Sequence, residues 1–235
     1  MTNAPLYLIP TPLAETDFSK IFPPFNLEII NKIDHYIVEE LRTARRLLRK
    51  MNINKRIEEL TFAEINEHVK NVNCNEILQP CLNGHPMGLL SEAGTPCVAD
   101  PGSKVVAKAH QLDIPIIPLV GPNSILLALM ASGFDGQRFA FHGYLPVDRD
   151  KREKEMLFYE SLMKKTGQTQ IFIETPYRNN HFLDSLLTVC EVETRICVAC
   201  DLTSPEQMII TQSVSKWRKS KIDIYKKPVI FLMGK

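Results

Sequence analysis

No apolar run in this chain approaches the roughly 20 residues that a bilayer-spanning helix needs. The start, MTNAPLYLIP, has no basic region ahead of its apolar stretch, so it does not read as a secretory signal. Charge of one sign is missing too, since 28 Lys and Arg stand against 27 Asp and Glu. That balance excludes a polyanion binder working through bulk charge and leaves only local basic patches. Six cysteines in 235 residues do not make a disulfide scaffold, and a reducing cytoplasm is the expected home. The fingerprint G-x-G-x-x-G is absent, as are a P-loop and a G-x-S-x-G nucleophile elbow. The six histidines show no metal-ligand spacing. Cys197 and Cys200 lie in a strand-like run, TRICVAC, where residues three apart point to opposite faces. With no second pair nearby, no metal is expected there. No repeat or low-complexity segment stands out.

What is present suits a substantial core. Hydrophobic residues make up 44% of a chain long enough for one large or two small domains. Its organising stretch is Ser91 to Gly102, SEAGTPCVADPG, between the apolar run Met87–Leu90 and a helix-like pattern from Ser103. Gly94 and Gly102 permit backbone angles and close approaches that a side chain forbids. Pro96 and Pro101 fix their own φ and push Thr95 and Asp100 toward extended conformations. Asp100 before Pro101 predicts an N-cap and first turn. A second elbow, Val120-Gly121-Pro122-Asn123-Ser124, follows a buried strand at 116–119 and opens a helix that Gly133 ends. Asn123 or Ser124 would cap that helix and leave amides facing an anion or carboxylate. Two such elbows on neighbouring strands outline one crevice, where open α/β sheets bind ligands.

Elsewhere, Leu6–Ile9 and His35–Val38 read as strands, and 26–32 as a short helix. Thr61-Phe62-Ala63-Glu64 is a capping-box signature predicting a helix over 62–69, and 75–82 forms another. Arg138–His142 alternates like a strand, and 148–165 is a long charged helix. Thr175 and Pro176 predict the start of a helix over 177–190. Strands follow at 170–174, 194–200, 207–211 and 228–233. Five cations between Arg42 and Lys50 ride on one predicted helix. They make either a solvated face or a phosphate-contacting patch.

LLSEAGTPCVADPG and VGPNS resemble the paired motifs of the tetrapyrrole methylase-like (class III) family of S-adenosylmethionine-dependent methyltransferases. The nearest branch is the one that methylates small-subunit ribosomal RNA, with SDAGTP, SDPG and PGPSA in those places. Glu39, Arg42, Leu47 and Leu48 match its AEDTR segment and the basic helix after it. Gly143-Tyr144-Leu145-Pro146 matches its GFLP, and Glu174–Arg178 its ESPHR. The resemblance runs from Leu6 to about Met233 and departs in three places. The TPIGN loop keeps only Thr11 and Pro12. ELTK becomes Asp201-Leu202-Thr203-Ser204 without its lysine. The chain stops at Lys235 where longer members continue, so it resembles a shortened type.

The resemblance implies two α/β domains, 1–142 and 143–235, with the cofactor cleft between them. It implies S-adenosylmethionine bound by Pro12, Gly94, Thr95, Pro96, Val98, Asn123 and Ser124, with Ile173 and Ala199 on the adenosine side. Glu92, Asp100, Glu174 and Arg178 are the polar groups nearest the motifs. They are the candidates for a base, a substrate-orienting group or a phosphate clamp, against the alternatives of a helix cap and a local ion pair. The implied acceptor is RNA, at the ribose 2′-hydroxyl of a 16S ribosomal cytidine, and the implied assembly is a homodimer. Methylation of a small molecule, and a non-catalytic cofactor-binding protein of the ribosome, remain the alternatives.

Overall fold

The computed structural model describes residues 3–65 and 73–235 and divides the chain into two compact units, Met1–Asn123 and Ser124–Lys235. In the first unit β1 (Leu6–Ile9) is followed by a 3-10 turn (Phe18–Lys20), α1 (Pro24–Ile30) and β2 (His35–Val38). Then come α2 (Leu41–Lys50), a second 3-10 turn (Ile57–Glu59), β3 (Thr61–Glu64), α3 (Cys74–Ile77) and α4 (Gln79–Leu82). The unit closes with β4 (Met87–Leu90), α5 (Ser103–Gln111) and β5 (Ile116–Pro118). All five strands are parallel, in the order β3-β2-β4-β1-β5.

A parallel sheet is covered on both faces, and these strands carry the apolar runs that this demands. Ile9, Tyr36, Val38 and Leu90 pack with Ile30, Ile33 and Leu48 on one face. Leu6, Ile37, Met87 and Leu89 pack with Leu78, Val105 and Ala109 on the other. Gly88 shares the face of Ile9 and Tyr36, where a Cβ would stand 2.6 Å from Ile9 Cδ1. In α2 the buried residues Ala44 and Leu48 are four apart, on one helix face, so the five cations are left outward.

The second unit opens on α6 (Ser124–Ser132), β6 (Phe139–Phe141) and α7 (Arg149–Thr166). It continues with β7 (Thr169–Ile173), a 3-10 turn (Pro176–Arg178), α8 (Asn179–Val189) and β8 (Arg195–Cys200). β9 (Met208–Ser213), α9 (Val214–Trp217) and β10 (Val229–Gly234) complete it. Its sheet runs β6-β7-β10-β8-β9, parallel only at β6/β7. Phe172, Phe182, Phe231 and Trp217 fill the core, and Trp217 Nε1 donates to Ile196 O at 2.9 Å. Asp148 caps α7 through Lys151 N, and Gly167 ends that helix at φ 75. No helix among the described residues is long and apolar enough to cross a membrane.

Four expectations need correction. Thr61–Glu64 is a strand, not the start of a helix, because it pairs in register with β2 from His35↔Thr61 to Val38↔Glu64. The rest of that predicted helix, from position 66, lies outside the described residues. Asp100 does not cap α5, whose N-cap is Gly102; its carboxylate closes the loop before the helix instead. Thr175 makes no cap bond, and a 3-10 turn precedes α8. The boundary falls after Asn123, not at Gly143, because α6 packs on β10 and β9. Thr211 Oγ1 donates to Ser132 O at 2.8 Å, and the Phe134 ring lies against Gly234.

Candidate functional site

The loops that leave β1, β2, β4 and β5 emerge at the carboxyl end of the first sheet, where open α/β sheets take ligands. The two Gly/Pro elbows follow β4 and β5, which are not neighbours, because β1 runs between them. They meet across the end of β1. Thr11 and Gly94 form an antiparallel bridge, with Thr11 N donating to Gly94 O at 2.8 Å and Gly94 N to Thr11 O at 3.1 Å. Asn123 Nδ2 donates to Thr95 Oγ1 at 2.6 Å and ties the second elbow to the first. Ser91 Oγ donates to Gly94 O at 2.7 Å and lies 3.3 Å from Thr11 Oγ1. So Thr11, Ser91, Gly94, Thr95 and Asn123 converge, with Pro12 next in the chain. Thr11 and Ser91 are buried anchors of this shelf, and neither is among the residues the resemblance implied for cofactor binding or catalysis.

The loop beyond is strained and held. Gly94 has φ 79, Cys97 φ 68 and Ala99 φ 61.

 Left-handed backbone at residues with side chains costs roughly 1 kcal/mol each and persists only where the surroundings impose it. Asp100 is what imposes it here. Its Oδ1 accepts from Cys97 N and Gly102 N, both at 2.8 Å. Burial raises the Asp100 carboxyl above its ordinary value, opposed by those two amides. Its Oδ2 is buried with no hydrogen-bond partner among the described residues. Val98, at the tip, is exposed, and Pro96 is buried.

Gly121 sets the second elbow. A Cβ there would stand 2.4 Å from Pro10 Cβ and 2.7 Å from its Cγ, and a proline ring cannot swing aside. Gly121→Ala is therefore expected to cost about 3 kcal/mol, a fall in Tm of roughly 6–12 °C. Gly136→Ala, with nothing within 4 Å of the added carbon, should stay within about 0.5 kcal/mol by the same melt.

Beside the shelf lies a groove of about 420 Å³. Thr11, Pro12 and Ser91 form one side, Thr43, Arg46 and Lys50 of α2 another, and Phe18 and Glu92 complete the lining with Glu15. Lys50 Nζ pairs with Glu15 at 2.5 Å and holds that carboxyl below the usual range. Glu92 behaves oppositely. The residue is exposed by area, yet partial burial of its carboxyl raises it above 4.5, with Thr43 opposing and Glu40 adding to the rise. The N-terminus of α2 offers no anion site of its own. Glu40 accepts from Arg42 N and Thr43 N at 2.9 and 2.7 Å, and Glu64 from Leu41 N at 2.9 Å.

On the second unit, Ile173, Ile230 and Ala199 stand in one row across β7, β10 and β8, so the two residues expected to meet an adenosine share a sheet face. Glu174 is buried and accepts from Arg178 Nη2 at 2.5 Å, Arg178 Nε at 3.1 Å and Thr175 N at 2.6 Å. The pair is thus local, and it stiffens the turn after β7. Ser124 is the first residue of α6. Cys197 and Cys200 fall on opposite faces of β8, Cys200 in the aromatic core and Cys197 across from Leu232. No group of metal-ligating side chains is found among the described residues.

Residues 26–216 match the family Tetrapyrrole (Corrin/Porphyrin) Methylases. The chain is 31% identical over 205 residues to ribosomal RNA small subunit methyltransferase I of Vibrio cholerae, covering 87% of this chain and 67% of that one. It is 28% identical over 211 residues to the protein of the same name in Bacillus subtilis, covering 90% and 68%. Among solved structures, the methyltransferase CobJ superposes with a TM-score of 0.65 at 18% identity, over 98% of this chain and 94% of that one.

Proposed function

Because this chain belongs to the tetrapyrrole (corrin/porphyrin) methylase family, we propose that it transfers the methyl group of S-adenosylmethionine to RNA of the small ribosomal subunit. The observation that carries the reading is the shelf where both elbows meet, in a chain similar over most of its length to small-subunit RNA methyltransferases. The shelf suits the cofactor, since Gly94 bares its backbone where a Cβ would crowd Leu13 at 3.1 Å and the Pro122 carbonyl at 3.4 Å. Pro12, Gly94, Thr95, Pro96, Val98, Asn123 and Ser124 would hold it through backbone groups and apolar contact. When bound, S-adenosylmethionine supplies a methyl group on a positively charged sulfur, already activated for attack.

The chain's own part is then positioning and proton removal. Glu92, in the groove beside the shelf, accepts the proton of the acceptor hydroxyl as that oxygen is methylated. Asp100 holds the loop, and the Glu174–Arg178 pair holds the turn after β7; neither needs to touch substrate. The direct test is incubation with labelled cofactor and unmodified small subunits. Label in the RNA supports the reading, and label only in a small molecule moves it to the tetrapyrrole-like alternative. We also place the enzyme as a homodimer, which light scattering would register as twice 26.8 kDa.

Arg46 lines the groove, while Arg45 stacks over Phe62 at 5.3 Å. Neither joins a salt bridge among the described residues. Converting both to glutamate should weaken RNA binding about tenfold at low salt and lower the slope of log K against log salt by about two. A titration showing equal binding by both proteins would remove the patch from RNA contact.

A further inference from the structure

The turn Pro176–Arg178 and the loop at 220–228 of the second unit present two exposed tyrosines. Tyr177 is 63% exposed and Tyr225 48%, with ring centroids 6.0 Å apart and planes at 74°. The Lys226 ammonium lies 5.7 Å from the first centroid and 5.3 Å from the second. Lys226 is held there in left-handed backbone, at φ 62. The rings are not what holds the loop. Lys226 N donates to Pro176 O at 2.9 Å, and Asn179 Nδ2 to Lys227 O at 2.6 Å. Asn180 donates to Asp223 Oδ1 at 2.9 Å and accepts from Ile224 N at 3.1 Å. With the backbone secured by these bonds, two large rings are left facing solvent without a structural task.

The surrounding charge is equally one-sided. Residues 216–227, KWRKSKIDIYKK, carry six Lys and Arg against one Asp in a chain whose total is +1. Arg218 is engaged with Leu187 O and Lys227 with Asp201. Asp223 is occupied by Asn180 and Tyr225 N. Lys216, Lys219, Lys221 and Lys226 are exposed and form no salt bridge among the described residues. Protein interfaces are depleted in lysine, whereas single-stranded nucleic acid is gripped by aromatic faces set among cations.

We propose that this surface docks single-stranded RNA, with Tyr177 and Tyr225 stacking on bases and Lys226 with its neighbouring lysines meeting phosphates. The partner's identity rests on the RNA reading above; the surface and its residues do not enter that reading. The test measures anisotropy of a labelled single-stranded RNA oligonucleotide with wild type and with a Tyr177→Ala/Tyr225→Ala variant. The variant should bind about tenfold more weakly or worse, with its melting temperature and S-adenosylmethionine affinity kept. The Tyr177→Phe/Tyr225→Phe variant, which preserves both ring faces, should bind like wild type. Lys226→Gln should lower the salt slope by about one. Should the double alanine variant fail to fold, Tyr225→Ala alone and Lys226→Gln carry the same comparison. Equal affinity in the alanine variants overturns the surface and leaves the RNA reading standing. A wild type that neither binds nor methylates RNA overturns both. A dimer that becomes a monomer in the variant assigns the rings to a protein interface and overturns the proposal.

Discussion

A Gly94→Val protein is expected to bind S-adenosylmethionine about a hundredfold more weakly than wild type, or not measurably, by calorimetry. Gly94 holds φ 79, a conformation in which a β-branched residue is a severe outlier, strained by roughly 1–2 kcal/mol. The added Cβ would also sit 3.1 Å from Leu13 Cδ2 and 3.4 Å from Pro122 O. The substitution therefore does more than crowd a crevice. It works against the Thr11–Gly94 bridge and through it the Thr95–Asn123 contact that brings the elbows together. Stability should fall by only about 2 kcal/mol, since these bonds belong to loops rather than to either core. Gly133→Ala separates the two effects, because Gly133 has φ 74 with nothing within 4 Å. It should show comparable strain in a melt and bind cofactor normally. Unchanged affinity in Gly94→Val would remove the cofactor from this shelf.

Glu92→Gln should lower kcat by about a hundredfold to a thousandfold while leaving cofactor affinity in place. Glutamine keeps the shape and loses the ability to take a proton. The pH profile gives the more discriminating reading. Burial raises the Glu92 carboxyl above 4.5, so the wild-type rate should climb with pH through that raised value as the base form appears. That limb should vanish in the variant. Stability runs the other way. Folding favours the protonated group, so its contribution is complete below 4.5 and is lost as pH rises through the raised value. A variant with wild-type kcat would take the proton from some other group, or from none, and a retained acidic limb would assign that limb elsewhere.

Much of this was legible in the residues because it is encoded within a few positions of each site. Gly94, Pro96 and Gly102 announce a stiff loop, and the structure gives that loop its left-handed turn. The strands at 35–38 and 87–90 and the helix capped by Asp148 stand where apolar runs and cap residues put them. Family motifs in order did the rest, and the match over 26–216 bears them out.

What the sequence by itself determined was therefore local conformation and kinship; partnership between distant segments was decided only by the tertiary structure. Thr61 to Glu64 carries a helix-start pattern, yet pairing with β2 made it a strand and sent the Glu64 carboxylate to Leu41 N on α2. Asp100 and Pro101 look like a cap and first turn, but Asp100 gained more from the amides of Cys97 and Gly102, one on each side of it. The elbows seemed to leave neighbouring strands, while the sheet inserted β1 between them. α6 follows the first unit in the chain and packs with the second. In each case a short pattern allowed two hydrogen-bonding or packing solutions of similar local energy. For Asp100 the deciding partners lie within three residues. For the strand at Thr61, the elbows and α6 a partner tens of residues away chose, and no pattern read along the chain contains that partner.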